Sequence, residues 1–259
     1  MMEFFESIGR LVQSGLVATG RMAIMLYQAV TWLFVPPFKF RNIFKQMEFV
    51  GVKSMFVVVL TGSFTGMVLA YQSFHALKKF GAESLVGASV GLSMARELGP
   101  VLTALIVTGR VGSAMATELG TMKVTEQIDA LSTMAVNPLK HLVVPRILAG
   151  ILMLPFLTII ADFVGMLGGY FVGVKVLNIN PGVFIGRTLD FVGTGDIFNG
   201  LIKAAIFGLI LSLVACYQGF YTSGGAAGVG KAATSAVVLS SVLIFIADYF
   251  LTSMMFQNL

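Results

Sequence analysis

Four long stretches that are almost free of formal charge limit what this chain can fold into. They cover residues 54–77, 147–174, 204–230 and 232–259, and only Asp162 and Asp248 interrupt them. Each is longer than the roughly 20 residues with which an α-helix crosses about 30 Å of hydrocarbon. Hydrophobic residues also make up 57% of the 259 residues and charged residues only 11%, which excludes an ordinary soluble enzyme and a disordered chain. The sequence therefore predicts an all-α polytopic membrane protein.

A fifth span is predicted although it carries charges. Residues 84–117 are apolar but include Arg96, Glu97 and Arg110. The length of this stretch favours one long helix, kinked at Gly99-Pro100 because proline lacks the backbone donor that a helix needs. We call the five predicted helices span 1 to span 5; in chain order they are residues 54–77, 84–117, 147–174, 204–230 and 232–259.

Residues 1–50 have a different pattern and are predicted to lie on the membrane surface. Apolar residues recur at helical spacing among polar ones, which is typical of an interfacial helix. Residues 22–35 hold 14 uncharged residues before Pro36-Pro37, too few for a full crossing, and favour a short re-entrant or surface helix. The predicted domains are an interfacial elbow segment, 1–50, and a five-span domain, 51–259. The apolar positions of the interfacial helix are Phe4, Phe5, Ile8, Leu11 and Val12.

The basic residues predict an orientation, because cytoplasmic loops are enriched in lysine and arginine. Ten basic residues lie in the N-terminal segment and in the loops after spans 2 and 4, and four lie in the loops after spans 1 and 3. The N-terminus is therefore expected in the cytoplasm and the C-terminus on the outer side. We interpret the formal charge of +5 as this topology signal and expect no nucleic acid partner.

A short amphipathic helix is predicted between spans 2 and 3, over residues 123–136. Val124, Ile128, Leu131 and Ala135 share one face, and the helix is expected to stop near Asn137-Pro138. Such a helix either rests on the lipid headgroups or docks in the groove of a cytoplasmic partner. The pattern alone leaves both interpretations open.

Residues 225–231 have the spacing of a phosphate-binding loop, G-x-x-x-x-G-K. Ala232 stands where that motif needs Ser or Thr to hold magnesium, and a membrane span precedes it in place of a strand. We therefore interpret it as a flexible cytoplasmic turn and expect no ATPase in this chain. Two histidines and one cysteine are also too few for a closed zinc site, so no metal is expected.

Small residues recur at four-residue spacing in three spans, a pattern that lets helix backbones approach closely in lipid. The pattern fits internal packing and a homodimer interface equally well. The residues are Gly62 and Gly66 in span 1, Gly109 with Ser113 and Gly112 with Ala116 in span 2, and Gly165, Gly169 and Gly173 in span 3.

Charged residues inside the spans are costly and usually face one another or a cavity. Arg96, Glu97, Lys203 and Asp248 are predicted at one depth in the outer half, where their charges sum to zero, and we expect them to form a polar cluster. The cluster either fixes helix register as buried ion pairs or forms a substrate headgroup site or gate.

Two further charges lie elsewhere in the spans. Arg110 is expected about 21 Å deeper than Arg96, at 1.5 Å per residue, near the inner interface and Glu118. Asp162 lies in the middle of span 3, and the sequence offers it no obvious partner.

From about residue 50 onward the chain resembles the MlaE permeases. Long motifs in the same order carry the resemblance, so it is highly specific. They are Ala95-Arg-Glu-Leu-Gly-Pro100, Thr108-Gly-Arg-Val-Gly-Ser-Ala114, Glu118-Leu-Gly120, Met122-Lys-Val-Thr-Glu-Gln-Ile-Asp-Ala130, Met134, Asn137-Pro138, Val144-Pro-Arg146 and the glycine-rich stretch 222–231.

The resemblance implies the membrane subunit of an ABC transporter that moves phospholipids between the inner and outer membranes of Gram-negative bacteria and maintains outer-membrane lipid asymmetry. It implies a homodimer in the inner membrane, with a separate ATPase, MlaF, that binds the ATP and magnesium, so that this chain needs no cofactor. A small STAS-domain protein, MlaB, and a hexamer of the MCE-domain protein MlaD complete the expected complex.

The resemblance also implies roles for particular residues. Residues 123–136 become a coupling helix that contacts the ATPase, and a lipid cavity is expected at the dimer axis between spans 1, 2 and 5. The coupling residues are Lys123, Glu126, Gln127, Asp129 and Met134. Arg96, Glu97 and Leu98 match the motif near the cavity, and Leu69, Tyr71, Leu77 and Phe80 are placed on its apolar wall.

Two rival functions remain open at this stage. A proton-coupled secondary transporter would use Asp248, Asp162 or Glu97 as a relay, although no inverted repeat is visible in the sequence. A membrane scaffold without transport activity would tolerate apolar residues at all the charged positions within the spans.

Overall fold

The computed structural model describes residues 2–33, 35–36 and 40–256, and every regular element in these ranges is helical. An all-helical chain is what a bilayer demands, because a helix satisfies its own backbone polar groups. Five helices are long and apolar enough to cross a membrane, which confirms the predicted fold class. With the bounds found in the structure, span 1 to span 5 are Phe40–Lys78, Glu83–Val124, Leu139–Val176, Thr194–Phe220 and Gly225–Met255.

The bounds of all five spans differ from the prediction, and span 1 begins at Phe40 and not at residue 54. Span 4 begins at Thr194, well before Lys203, because the Lys203 charge is neutralised inside the helix bundle. The turn before span 5 lies at residues 221–224, where Gly224 has a φ of +89°. The predicted flexible turn at 225–231 was therefore wrong, since these residues form the first turns of span 5 and Lys231 lies within that helix.

Wider π-helical turns interrupt several spans. Span 1 contains one at Glu48–Val52, span 2 contains two, at Met94–Leu98 and Thr108–Gly112, and span 3 has one at each end. The first π turn of span 2 directly precedes the Gly99-Pro100 step at which the sequence predicted a kink. Such turns often mark functional sites, and the two in span 2 carry all of its intramembrane charges.

The N-terminal segment is one continuous helix, Met2–Leu33. The prediction of a separate short helix over residues 22–35 was wrong, because the apolar periodicity continues through the predicted break. Met25 and Ala29 are buried against Ile147 of span 3 and Cys216 of span 4, which fixes this helix to the bundle. The side chains predicted to face the membrane, Phe4 to Val12, lie in the part of this helix whose side chains the structure does not describe.

Span 3 lies at the centre of the bundle, between span 1 and span 4, and the last part of span 2, Ser113–Val124, packs between spans 4 and 5. Glycines allow the closest approach: a Cβ atom on Gly66 would overlap the backbone carbonyl of Gly165. The small-residue faces of spans 1 and 3 are therefore used for internal packing. Gly109 of span 2 has no atom of another element within 4 Å of a built Cβ, so that face stays uncovered.

Two short helices connect the spans. Gln127–Thr133 joins spans 2 and 3, and Pro181–Phe191 joins spans 3 and 4. The second begins at Asn180, whose side-chain oxygen accepts hydrogen bonds from the next backbone N–H groups. It buries Phe184 against Gly173, so the third glycine of the span 3 ridge makes room for this connection and not for another span.

Candidate functional site

Lys203 forms the centre of a polar site between spans 2, 4 and 5. Its amine donates to Glu97 Oε2 at 2.8 Å, Asp248 Oδ1 at 3.1 Å, Thr252 Oγ1 at 2.7 Å and the carbonyl of Arg96 at 3.0 Å. The Lys203 side chain is 0% exposed. A buried ammonium is tolerated only with such complete pairing, so the four oxygens account for its presence in the apolar bundle.

Local backbone features bring these side chains together. The π turn Met94–Leu98 turns Glu97 and the carbonyl of Arg96 towards span 4. Gly200 of span 4 lies against this turn, where a Cβ atom would overlap the carbonyl of Ala95. The close approach at Gly200 places Lys203, one helical turn further on, within reach of both span 2 and span 5.

Arg96 was predicted to join the same cluster, but the structure pairs its guanidinium with a residue that the sequence analysis missed. Arg96 Nε donates to Asp196 Oδ1 at 2.7 Å, and Asp196 Oδ2 accepts from the backbone N–H of Gly193. Asp196 therefore both caps span 4 and binds Arg96. The signal in the sequence was an acidic residue in the first turn of a helix, where it complements the helix dipole.

The cluster is not neutral once Asp196 is included. Arg96 and Lys203 contribute two positive charges, and Glu97, Asp196 and Asp248 contribute three negative ones, so the formal sum is −1. Two members reach the surface: the side chains of Arg96 and Glu97 are 36% and 37% exposed. The site thus presents a guanidinium and a carboxylate side by side above a buried lysine.

The residues predicted for the apolar wall divide into two groups. Leu69, Leu77 and Leu98 pack against one apolar cluster formed by spans 1 and 2 and Phe184. Tyr71 and Phe80 are exposed and do not join the buried core there, and Tyr71 stacks on His75 with ring centroids 4.5 Å apart. Leu98 connects the apolar group to the polar cluster, because it directly follows Glu97.

The other intramembrane charges lie away from this site. Arg110 Nη1 donates to Ser54 Oγ at 2.8 Å and to the carbonyl of Phe49 at 3.2 Å. The predicted contact between Arg110 and Glu118 was wrong, because Glu118 instead binds Arg146 at 2.7 Å. Arg146, which the sequence analysis placed in a loop, is buried in span 3.

Asp162 is buried in span 3, and its Oδ1 atom has no hydrogen-bond partner among the described residues. The carboxylate lies against Gly99, where a Cβ atom would overlap it. Packing against Gly99 therefore holds the Oδ1 side of this carboxyl group.

The predicted coupling helix is shorter than 123–136. Span 2 runs on to Val124, Glu126 has a left-handed backbone with a φ of 61°, and the new helix covers Gln127–Thr133. At its end Ala135 is also left-handed, and the N–H groups of Ala135 and Val136 close a Schellman motif. The prediction missed these ends because neither left-handed residue is a glycine.

This short helix is anchored on one face and open on the other. Ile128 is buried, and Lys123 Nζ binds both oxygens of Asp129, at 2.9 and 3.0 Å, across the turn. The remaining predicted coupling residues, Glu126, Gln127 and Met134, are exposed, as is Asp129. An anchored helix with an exposed polar face is suited to contact another protein.

Five apolar helices around a buried charge cluster define the class of the chain as a helical polytopic membrane protein. Residues 43–254 match the family described as Permease MlaE. A probable ABC transporter permease protein of Rickettsia bellii is 43% identical over 257 residues, 99% of each chain. The intermembrane phospholipid transport system permease protein MlaE of Haemophilus influenzae is 37% identical over 257 residues, 99% of this chain and 98% of its own.

The similarity extends to plants. The chloroplastic protein TRIGALACTOSYLDIACYLGLYCEROL 1 of Arabidopsis thaliana is 41% identical over 218 residues, 84% of this chain and 62% of its own. The family match covers most of the chain, and the Rickettsia bellii and Haemophilus influenzae relatives each align with 99% of it. The chain therefore belongs to the MlaE permease family.

Proposed function

We propose that this chain is the membrane subunit of an ABC transporter that moves phospholipids between the inner and outer membranes of a bacterium, and so maintains outer-membrane lipid asymmetry. The observation that carries the proposal is the Lys203 cluster, whose exposed Arg96 and Glu97 adjoin the apolar residue Leu98. A phospholipid combines a charged headgroup with apolar chains, and this site offers surface for both.

Within the site, each charged residue has a distinct role. The Arg96 guanidinium is suited to bind a phosphate oxygen, because its planar donors match phosphate geometry. The Glu97 carboxylate faces the same surface and is suited to an amine, so the pair complements a headgroup that carries both charges. Lys203 is fully buried and acts as a positioning residue that holds Glu97 and Asp248 in place.

ATP hydrolysis takes place on a separate ATPase subunit, which is the division of labour that the name ABC transporter permease describes for the relatives. The exposed side of Gln127–Thr133, with Glu126, Asp129 and Met134, forms the docking surface for that subunit. The ATP and magnesium belong to the partner, and this chain holds no cofactor of its own.

The chain functions as a homodimer in the inner membrane, with its N-terminus in the cytoplasm and its C-terminus in the periplasm. The uncovered face of span 2 around Gly109 supports the dimer, because small residues there permit close contact with a second copy. An MlaD-like MCE hexamer on the outer side and an MlaB-like STAS subunit complete the complex. ATP binding moves the two docking helices together and changes the lipid cavity between the spans.

Two exposed side chains at opposite ends of the bundle test the docking surface. Met134, after Gln127–Thr133, is 72% exposed, and Leu189, on the other connecting helix, is 74% exposed. We expect Met134→Asp to reduce co-purification of the ATPase and Leu189→Asp to leave it unchanged, with folding of both variants checked by thermal unfolding. Equal retention of the ATPase by the two variants would contradict the proposed docking surface.

The transport class is tested by moving a fluorescent phospholipid between vesicles that contain the purified complex and acceptor vesicles. Transfer that requires ATP and persists without a pH gradient supports the ABC transporter. Transfer that follows a proton gradient and ignores ATP would identify a secondary transporter. No transfer in any condition, with normal assembly of the complex, would identify a scaffold.

A further inference from the structure

An amphipathic cavity lies at the other end of the bundle from the Lys203 cluster. It has a volume of about 320 Å³, within the range of small-molecule sites. The N-terminal helix, the start of span 1 and the start of span 3 enclose it, together with residues 135–137 that follow the docking helix. Nothing in the transport mechanism described above uses this cavity.

The wall of the cavity combines apolar and polar residues. Trp32, Leu33, Ile43 and Leu148 are among the apolar lining residues. The polar lining residues are Asn42, Asn137, Lys140 and His141, and no aspartate or glutamate is among the described lining residues. This composition suits a ligand that has both an apolar chain and a negative charge.

Lys140 gives the cavity its charge. Its amine lies over the Trp32 ring, 5.5 Å from the ring centroid, and it makes no ion pair with any described carboxylate. Lys203, in contrast, forms ion pairs with two carboxylates, those of Glu97 and Asp248. Arg41 and Lys45, beside Asn42 and Ile43 in the sequence, are exposed and add to the positive charge near the site.

The position of the cavity selects among anionic ligands. It lies where spans 1 and 3 begin, at the end of the bundle for which we propose a cytoplasmic orientation, and the ends of membrane-spanning helices lie near the lipid headgroups. Basic pockets between membrane helices on the cytoplasmic side bind anionic lipid headgroups. A free phosphate would leave the apolar wall without a partner, whereas an acyl chain covers it.

We propose that this cavity binds an anionic phospholipid from the adjacent leaflet, with its phosphate beside Lys140 and part of one acyl chain against Trp32, Ile43 and Leu148. The site is distinct from the transport site and holds a resident lipid that joins the N-terminal helix to spans 1 and 3. The rest of the lipid stays in the bilayer, because the cavity is smaller than a whole phospholipid.

The test uses the purified complex in phosphatidylcholine nanodiscs that contain a minor fraction of phosphatidylglycerol with a photoreactive group on its acyl chain. Mass spectrometry of the cross-linked peptides is expected to locate the lipid on residues 32–33 and 144–148. Lys140→Gln is expected to lower this cross-linking about fivefold, the contribution of one lysine near an anionic headgroup, and Lys140→Arg to retain it.

Lys175→Gln is the matched control, because Lys175 is exposed at the far end of span 3. Leu148→Trp, which fills the apolar side, is expected to lower cross-linking without any change in charge. Three results would overturn the proposal: unchanged cross-linking in Lys140→Gln, equal cross-linking by a photoreactive phosphatidylcholine, or displacement of the lipid by inorganic phosphate. A fourth such result would be cross-linking of the photoreactive lipid to another protein subunit in place of these residues.

Discussion

Lys203 and Asp162 are both ionisable side chains buried among membrane helices, and the fold treats them in opposite ways. Lys203 has four oxygen partners on spans 2 and 5. They are the side chains of Glu97, Asp248 and Thr252 and the backbone carbonyl of Arg96. Asp162 Oδ1 has no partner in the described part of the chain and is held against Gly99 by packing. The comparison indicates that the first residue fixes the arrangement of the helices and that the second does not.

The largest expected effect comes from Lys203→Met, which leaves Glu97 and Asp248 without their counter-charge. Removing one partner of a buried ion pair typically destabilises a protein by about 3–5 kcal/mol. We expect a loss of this size in the free energy of unfolding, measured by circular dichroism in detergent.

Two comparisons make that prediction specific. Lys175→Met, at an exposed lysine near the same end of the bundle, should leave stability unchanged. Adding Asp248→Asn to Lys203→Met should recover part of the loss, because the two residues are directly coupled. Wild-type stability in Lys203→Met would show that the cluster does not hold the helices together.

A smaller effect is expected from Arg96→Gln. The Arg96 side chain is 36% exposed whereas that of Lys203 is fully buried, and Asp196 keeps its hydrogen bond from Gly193. Ion pairs of this kind contribute up to about 1 kcal/mol, so the unfolding free energy should fall by no more than that. The free energy of phospholipid binding, measured by native mass spectrometry, should fall by more than the free energy of unfolding does. A larger loss of stability than of binding would assign Arg96 a structural role.

The smallest effect on stability is expected from Asp162→Asn, which keeps the shape of a buried side chain whose Oδ1 has no partner among the described residues. No ion pair and no hydrogen bond at Oδ1 is lost, so the free energy of unfolding should change little. The same unfolding measurement serves as the check. A loss comparable to that of Lys203→Met would reveal a partner for Asp162 and remove the contrast between the two residues.

How far the sequence predicts this site depends on the kind of signal. Glu97, Lys203 and Asp248 were predicted together because charges within apolar runs are rare and their depth follows from helix geometry. Asp196 escaped prediction because span boundaries were drawn at charged residues, which placed it in a loop. That rule fails where a charge is neutralised inside the bundle, as it is at Lys203.

The fold shows the same limit at the ends of helices. The five spans follow from apolar length alone, which is a strong signal. The ends of the docking helix depend on left-handed backbone at Glu126 and Ala135, and these residue types give no sign of it. Gly66 and Gly165 pack against each other inside the bundle because spans 1 and 3 are neighbours. The spacing of glycines within one helix does not show which helix lies next to it.

Glu97, the exposed carboxylate of the Lys203 cluster, takes part in phospholipid transport if the proposed function is right. The most direct measurement is ATP-dependent transfer of labelled phospholipid by the reconstituted complex with Glu97→Gln, which retains the shape of the side chain. We predict a fall in transfer of about tenfold or more with assembly intact, since a hydrogen bond to a charged group contributes about 1.5–3 kcal/mol. Transfer and ATPase rates equal to those of the wild type would contradict the claim.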